Sequence, residues 1–309
     1  MIAPLWTVVL GTATALAGSG PWTLPAGARN LYAGTTQTRF TEIKGSTSSS
    51  EIGIIQATTL QAIGTVGLID GMEVELAVPW SRVNQLERSA RVCQSDGRRS
   101  DFCASSASLA PLQFTLKGRL LDEGSLRPVT MSAAVSIRTG NTTAHYRDRL
   151  TATGDGQTDV GLTTSVGRTG TVGSSGWFRV AIEGSYWYRT PLASPPTSSG
   201  KVPADQVELS VGGLVAPTKH VGVGPIVTGF HRLDGIDLDD LNDLQPDDPN
   251  GFPALAASQV KAGGTLALCG ENNITLSISA LMAVWARNNP TDTRVLSVGL
   301  GWYQAMQAH

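Results

Sequence analysis

The chain has 309 residues, 35 of them glycine; 41% are hydrophobic and only 16% charged, with a formal net charge of −2 and a pI near 6.1. No sequence-wide basic field exists to neutralise phosphates, which argues against nucleic acid as a partner. Nor does any segment after the first residues hold the ~18 consecutive apolar residues of a spanning helix, so a helical membrane protein is excluded.

Residues 1–17 read as a signal peptide. An apolar run from Leu5 to Leu10 is followed by small residues, with Ala15 and Ala17 at cleavage-site spacing, although no Lys or Arg precedes the run. Residues 18–28 follow as a periplasmic segment or a plug, and residues 29–303 as the body of the fold.

That body alternates apolar and polar side chains. In residues 127–139, Val129, Met131, Ala133, Val135 and Ile137 share one face, and Thr130, Ser132, Ser136 and Arg138 the other. Period two marks a strand. Residues 204–216 and 272–286 repeat it. Applied throughout, the pattern predicts about twelve strands, near 29–41, 54–65, 71–80, 111–121, 127–139, 155–168, 175–189, 204–216, 219–232, 257–269, 272–286 and 292–303. Pro225 predicts a bulge or local break in its strand, because proline lacks a ladder donor.

The connections alternate in length. Residues 66–70, 122–126, 217–218 and 270–271 are tight turns, whereas 42–53, 81–110, 140–154, 190–203 and 233–256 are long and polar; 288–291 is the one short exception on that side. Such alternation, with an even strand count, predicts an all-β transmembrane antiparallel up-and-down β-barrel in the outer membrane of a Gram-negative bacterium. Aromatics fall at the strand ends: Trp80, Tyr186, Trp187, Tyr188, Phe230 and Trp285 at the loop end, and Tyr32, Trp177, Phe178, Trp302 and Tyr303 at the turn end. Two lipid-facing girdles are expected from them. Residues 304–309 form a C-terminal tail.

With apolar side chains turned to lipid, the alternate set lines the lumen: Glu73, Glu75, Lys117, Arg119, Arg138, Asp159, Arg179, Glu183, Glu208 and Lys261. Charges there select solutes in an open conduit, or brace a closed barrel as ion pairs. Cys93 and Cys103 lie close together in a polar loop and would form a disulfide in an oxidising compartment, leaving Cys269 over. No four-ligand cluster supports zinc, and no cofactor is called for. The Asp-rich run at 234–248 reads as a solvated acidic loop, with calcium as the sharper alternative. The histidines, His145, His220, His231 and His309, have no G-x-S-x-G elbow, so a rim lipid hydrolase through His231 or His145 is a minor alternative.

Three stretches carry a family likeness: "GTVGLIDGMEVELAVPW" from Gly64, "TATGDGQTDVGLTTSVGR" from Thr151, and "NNITLSISALMAVWARNNP" from Asn272. They resemble the outer-membrane β-barrel family named for the meta-pathway of phenol degradation, which is transporter-like. The resemblance implies passive uptake of small solutes, hydrophobic or aromatic ones among them, with outer-membrane lipids and those solutes as partners and no catalytic residues. The alternative is a closed structural or surface-interaction barrel without flux.

Overall fold

The structure, a computed structural model, describes residues 20–44, 49–86, 105–123, 128–140, 158–173, 176–190, 205–218, 220–235, 237, 256–270 and 273–304. One antiparallel sheet contains β1 (Arg29–Lys44), β2 (Ser49–Ile69), β3 (Met72–Gln85), β4 (Ser106–Leu109), β5 (Gln113–Leu121), β6 (Thr130–Arg138) and β7 (Asp159–Val172). It continues with β8 (Gly176–Arg189), β9 (Gln206–Ala216), β10 (Val221–Arg232), β11 (Ser258–Cys269), β12 (Ile274–Arg287), β13 (Asn289–Pro290) and β14 (Arg294–Gln304).

The sheet closes on itself, since β1 pairs with both β2 and β14. Two short pieces bring the number of staves to twelve. β4 and β5 lie end to end against β3, parted at residues 110–112, where Ala110 still donates to the Pro79 carbonyl but neither Pro79 nor Pro111 can donate to the ladder. β13 pairs only with the far end of β1, at Ile43 and Lys44. The barrel expected from the sequence is therefore present, with strand ends displaced. β2 extends at both ends, for instance, running to Ile69 with Val66 and Leu68 continuing its outward apolar phase up to the turn.

At one end the staves are joined by tight turns such as Asp70–Gly71, where Gly71 takes a positive φ of 87°. The other is the loop end. Pro225 produces a local break rather than a bulge: its ladder with β9 is interrupted between Val223 and Ile226, yet the register is the same on either side.

Outward positions are apolar along most staves, with Leu31, Leu60, Leu76, Phe114, Val135, Leu162, Ile182, Leu209, Val223, Leu296 and Leu300 all exposed. A soluble protein rarely leaves so continuous an apolar surface uncovered. Inward positions carry hydroxyls that pair across strands: Thr36 with Ser297 (2.9 Å), Thr59 with Ser81 (2.6 Å), Thr115 with Ser136 (2.9 Å), Ser132 with Ser165 (3.1 Å), Thr163 with Ser185 (2.9 Å) and Thr265 with Ser279 (2.9 Å). These pairs satisfy polar groups that point away from the apolar belt, and each stitches two staves together.

The aromatic girdles need correction. Trp80, Tyr186, Tyr188, Trp285 and Trp302 are exposed, but Tyr32, Trp187 and Phe230 are buried on the inner face. The phase of the alternation, and not nearness to a strand end, decides which way a ring points.

Candidate functional site: the lumen and its N-terminal segment

Residues 20–28 turn back from the start of β1 into the lumen, where, apart from the internal hydrogen bond from the Ala28 amide to the Pro25 carbonyl, the polar contacts described for them are to wall residues. The Leu24 amide donates to Glu73 Oε2 at 2.7 Å, and the Gly20 amide to Glu183 Oε2 at 3.3 Å. Lys117 Nζ donates to the Trp22 carbonyl at 2.7 Å while pairing with Glu73 Oε1 at 3.0 Å. The Arg179 guanidinium lies 4.2 Å from the centroid of the Trp22 ring. Nearer the rim, Ala26 donates to Asp70 Oδ1, and Gly27 and Ala28 exchange backbone hydrogen bonds with Gly67. Glycines clear the way: a Cβ on Gly167 would stand 2.8 Å from the Trp22 ring.

The segment lies beside two cavities. One, of 410 Å³, is lined by residues 22–25 together with Arg179, Asn273, Thr275 and Tyr303. The other, of 90 Å³, is lined by Glu75, Gln113, Thr115, Lys117, Ser136 and Glu183 among others. Asn30, Tyr32, Thr65 and Glu73 line both.

Towards the loop end, side chains alone form a second crossing. Arg138 on β6 reaches past two staves to Glu208 on β9, with Nη1 to Oε1 at 3.3 Å. On the way its guanidinium lies flat over Trp187, 3.4 Å from the ring centroid, and its Nε donates to Gln113 Oε1 at 3.0 Å. Gln206 adds a 2.8 Å hydrogen bond to the same Glu208 oxygen. Asp159 lies 3.7 Å from buried Arg189, and Lys261 is buried on β11 within electrostatic reach of Glu208.

Of the remaining residues singled out in the sequence, Glu75 accepts from Thr65 at 3.3 Å, and Arg119 pairs with Asp122 at the turn rim, also at 3.3 Å. Cys93 and Cys103, His145 and most of the Asp-rich run lie outside the described residues; Cys269 is a free thiol. His231 Nδ1 stands 2.7 Å from Ser258 Oγ, but among the described residues no carboxylate orients the imidazole as a hydrolase would require. Sequence reading missed Trp22, Trp187 and Arg189. The last two share the inward phase of Arg179 and Glu183 on β8, so that phase was the available signal.

This closed barrel has a counterpart in overall fold among solved structures. The COG4313 outer membrane channel from Pseudomonas putida F1 superposes with a TM-score of 0.68 at 12% identity, over 92% of this chain and 98% of that one. The fold is that of an outer-membrane β-barrel. The NanC porin (TM-score 0.48, 10% identity, 89% and 98% covered) and the translocator domain of the autotransporter NalP from Neisseria meningitidis (0.45, 10%, 96% and 93%) are more distant barrels. No protein-family profile matches the sequence, and no curated protein does.

Proposed function

We propose that this chain is an outer-membrane channel for passive passage of small solutes, gated at its periplasmic end by residues 20–28. The turn end then faces the periplasm and the loop end the outside, the usual asymmetry of such barrels. The observation that carries the reading is the way the segment is held. Over residues 20–26 its contacts with the wall are separate bonds to side chains, each polar one worth about 1–3 kcal/mol; backbone pairing with Gly67 begins only at Gly27 and Ala28. Contacts of that kind can be released one by one while the barrel stays closed around them.

Solutes meet hydroxyl pairs and ion pairs along the wall, with the ring of Tyr32 lining both cavities among them. Such a lining suits small amphipathic molecules, including those with an aromatic ring, which accords with the family resemblance. Planar-bilayer conductance with and without residues 20–26 tests the proposal. Flux that rises on deletion supports the gate, equal flux in both forms indicates an open pore, and no flux in either indicates a closed structural barrel.

A further inference from the structure

The apolar belt changes character on one sector of the loop end. Outward positions on β14, β1, β2 and β3 there carry Arg294, Arg39, Gln37, Gln56, Thr58, Arg82 and Asn84 in place of aliphatic side chains. All three arginines are exposed. Arg39 and Arg294 are direct cross-strand partners, and Arg82 pairs with Thr58, which in turn pairs with Gln37, two residues before Arg39. Like charges placed directly opposite repel one another unless an anion lies between them.

No carboxylate lies within ion-pair distance of these arginines among the described residues. The nearest acid in sequence, Asp292, turns its oxygens to the Thr41 hydroxyl and to the amides of Thr41 and Glu42. Arg82 Nε is held by Asn84 Oδ1 at 3.1 Å, which fixes the guanidinium plane. By contrast Arg287, on the neighbouring β12, is paired with Asp237 at 3.1 Å.

Height matters as much as charge. Arg82 is two residues past Trp80 on the same face of β3, and Leu296 is two residues past Arg294 on β14; both apolar side chains are exposed to the surroundings of the barrel. Arg82 and Arg294 thus stand one step towards the loop end from Trp80 and Leu296, at the level where amphipathic rings mark the headgroup boundary. Guanidinium groups bind phosphate through paired N–H donors.

We propose that Arg39, Arg82 and Arg294 form a docking site for the phosphate groups of a phosphorylated glycolipid in the outer leaflet, with Gln37, Gln56 and Asn84 available to its sugar hydroxyls. This rests on the outer-membrane reading above. The site anchors one sector of the barrel, beside the β14–β1 closure, to its lipid.

The test is native mass spectrometry of the full chain in non-ionic detergent with bisphosphorylated lipid A, and with the same glycolipid stripped of phosphate. Retention of the phosphorylated form, weakened by added salt and reduced at least tenfold in R39Q/R82Q/R294Q, is the expected result. Folding of the variant is checked by heat-modifiable migration, and R82Q alone serves if the triple change does not fold. Equal retention of the stripped glycolipid, retention unaffected by salt, or unchanged retention in the variant overturns the proposal. So does a second copy of the chain held in place of lipid and lost in the variant. Fractionation of cells separates the two ideas: a chain found away from the outer membrane defeats the channel reading, whatever the lipid result.

Discussion

Glu73 is a wall residue through which the docked segment can be weakened. Its Oε2 accepts the Leu24 amide and its Oε1 pairs with Lys117. The ion pair joins two wall residues, so it persists whether the segment is docked or not and contributes nothing directly to the closed state. What distinguishes docked from undocked is the Leu24 hydrogen bond, together with the one from Lys117 to the Trp22 carbonyl. A hydrogen bond to a buried carboxylate contributes about 2 kcal/mol, and its neutral counterpart about half that. Glu73→Gln therefore costs docking about 1 kcal/mol, roughly a fivefold fall in the closed-to-open ratio, and Glu73→Ala about 2 kcal/mol, roughly thirtyfold. Dwell times in single-channel recordings measure that ratio directly. Removing residues 20–26 from each variant should abolish the difference between Gln and Ala. If the two substitutions leave the dwell ratio at its wild-type value, or if Gln and Ala still differ once the segment is gone, Glu73 acts on the wall and not through the segment.

Asp292 allows a pH test outside the spanning staves. Burial pushes its carboxyl up, but hydrogen bonds from the Thr41 hydroxyl and amide and from the Glu42 amide outweigh it, and the net pKa is lowered. A lowered folded-state pKa gives stability that is present above the ordinary value of 3.8 and lost as pH falls through the folded value. Protection of the Thr41 and Glu42 amides, the ratio of intrinsic to observed exchange rate, should therefore be high at neutral pH and fall once the pH drops well below the ordinary carboxylate range, while Asp292→Asn should lower it already at neutral pH; the site is part-exposed, so the stabilisation is about 1 kcal/mol. Pinning at pH 7 that survives the Asn change would refute the assignment. A Cβ on Gly263 would stand 1.9 Å from the Ala280 carbonyl oxygen on β12. Gly263→Ala is thus expected to lower the heat-modifiability midpoint, at a cost of roughly 1–3 kcal/mol, and an unchanged midpoint would show that the two staves can part freely.

The barrel was legible because its two signals come from different physics. Alternation follows from the pleat, while unequal connections follow from the two sides of a bilayer, and few other folds satisfy both. Individual side chains were less legible. The inward phase of Glu73 and Glu183 follows from period two, but no pattern says that residues 20–24, which belong to no strand, meet those two carboxylates across the lumen. The aromatics show the same limit from the other side. Tyr186 and Trp187 are neighbours at one strand end, yet one faces outward and the other lies under Arg138. The hydroxyl pairs went unnoticed because Ser and Thr are commonplace singly; only the register shows that they face one another.

Among the described residues two features project into the lumen at different heights, the docked segment below and the Arg138–Trp187–Glu208 bridge above, so a solute that passes beside both meets them in series. Resistances in series add, so opening the smaller obstacle alone changes little. The bridge is made of side chains around which ions can pass, whereas the segment brings backbone into the lumen. Arg138→Ala in the full chain should therefore leave conductance near its wild-type value. In the chain lacking residues 20–26 the same change should raise conductance, because the bridge is then the narrowest point. The substitution also leaves Glu208 without its 3.3 Å partner, though Gln206 still donates to it. The loss of one positive charge beside Glu208, with Lys261 the cation left within electrostatic reach of it, should shift the pore towards cations, which reversal potentials in a salt gradient would register. A pore opened fully by Arg138→Ala alone would mean that the bridge, and not the segment, keeps it shut.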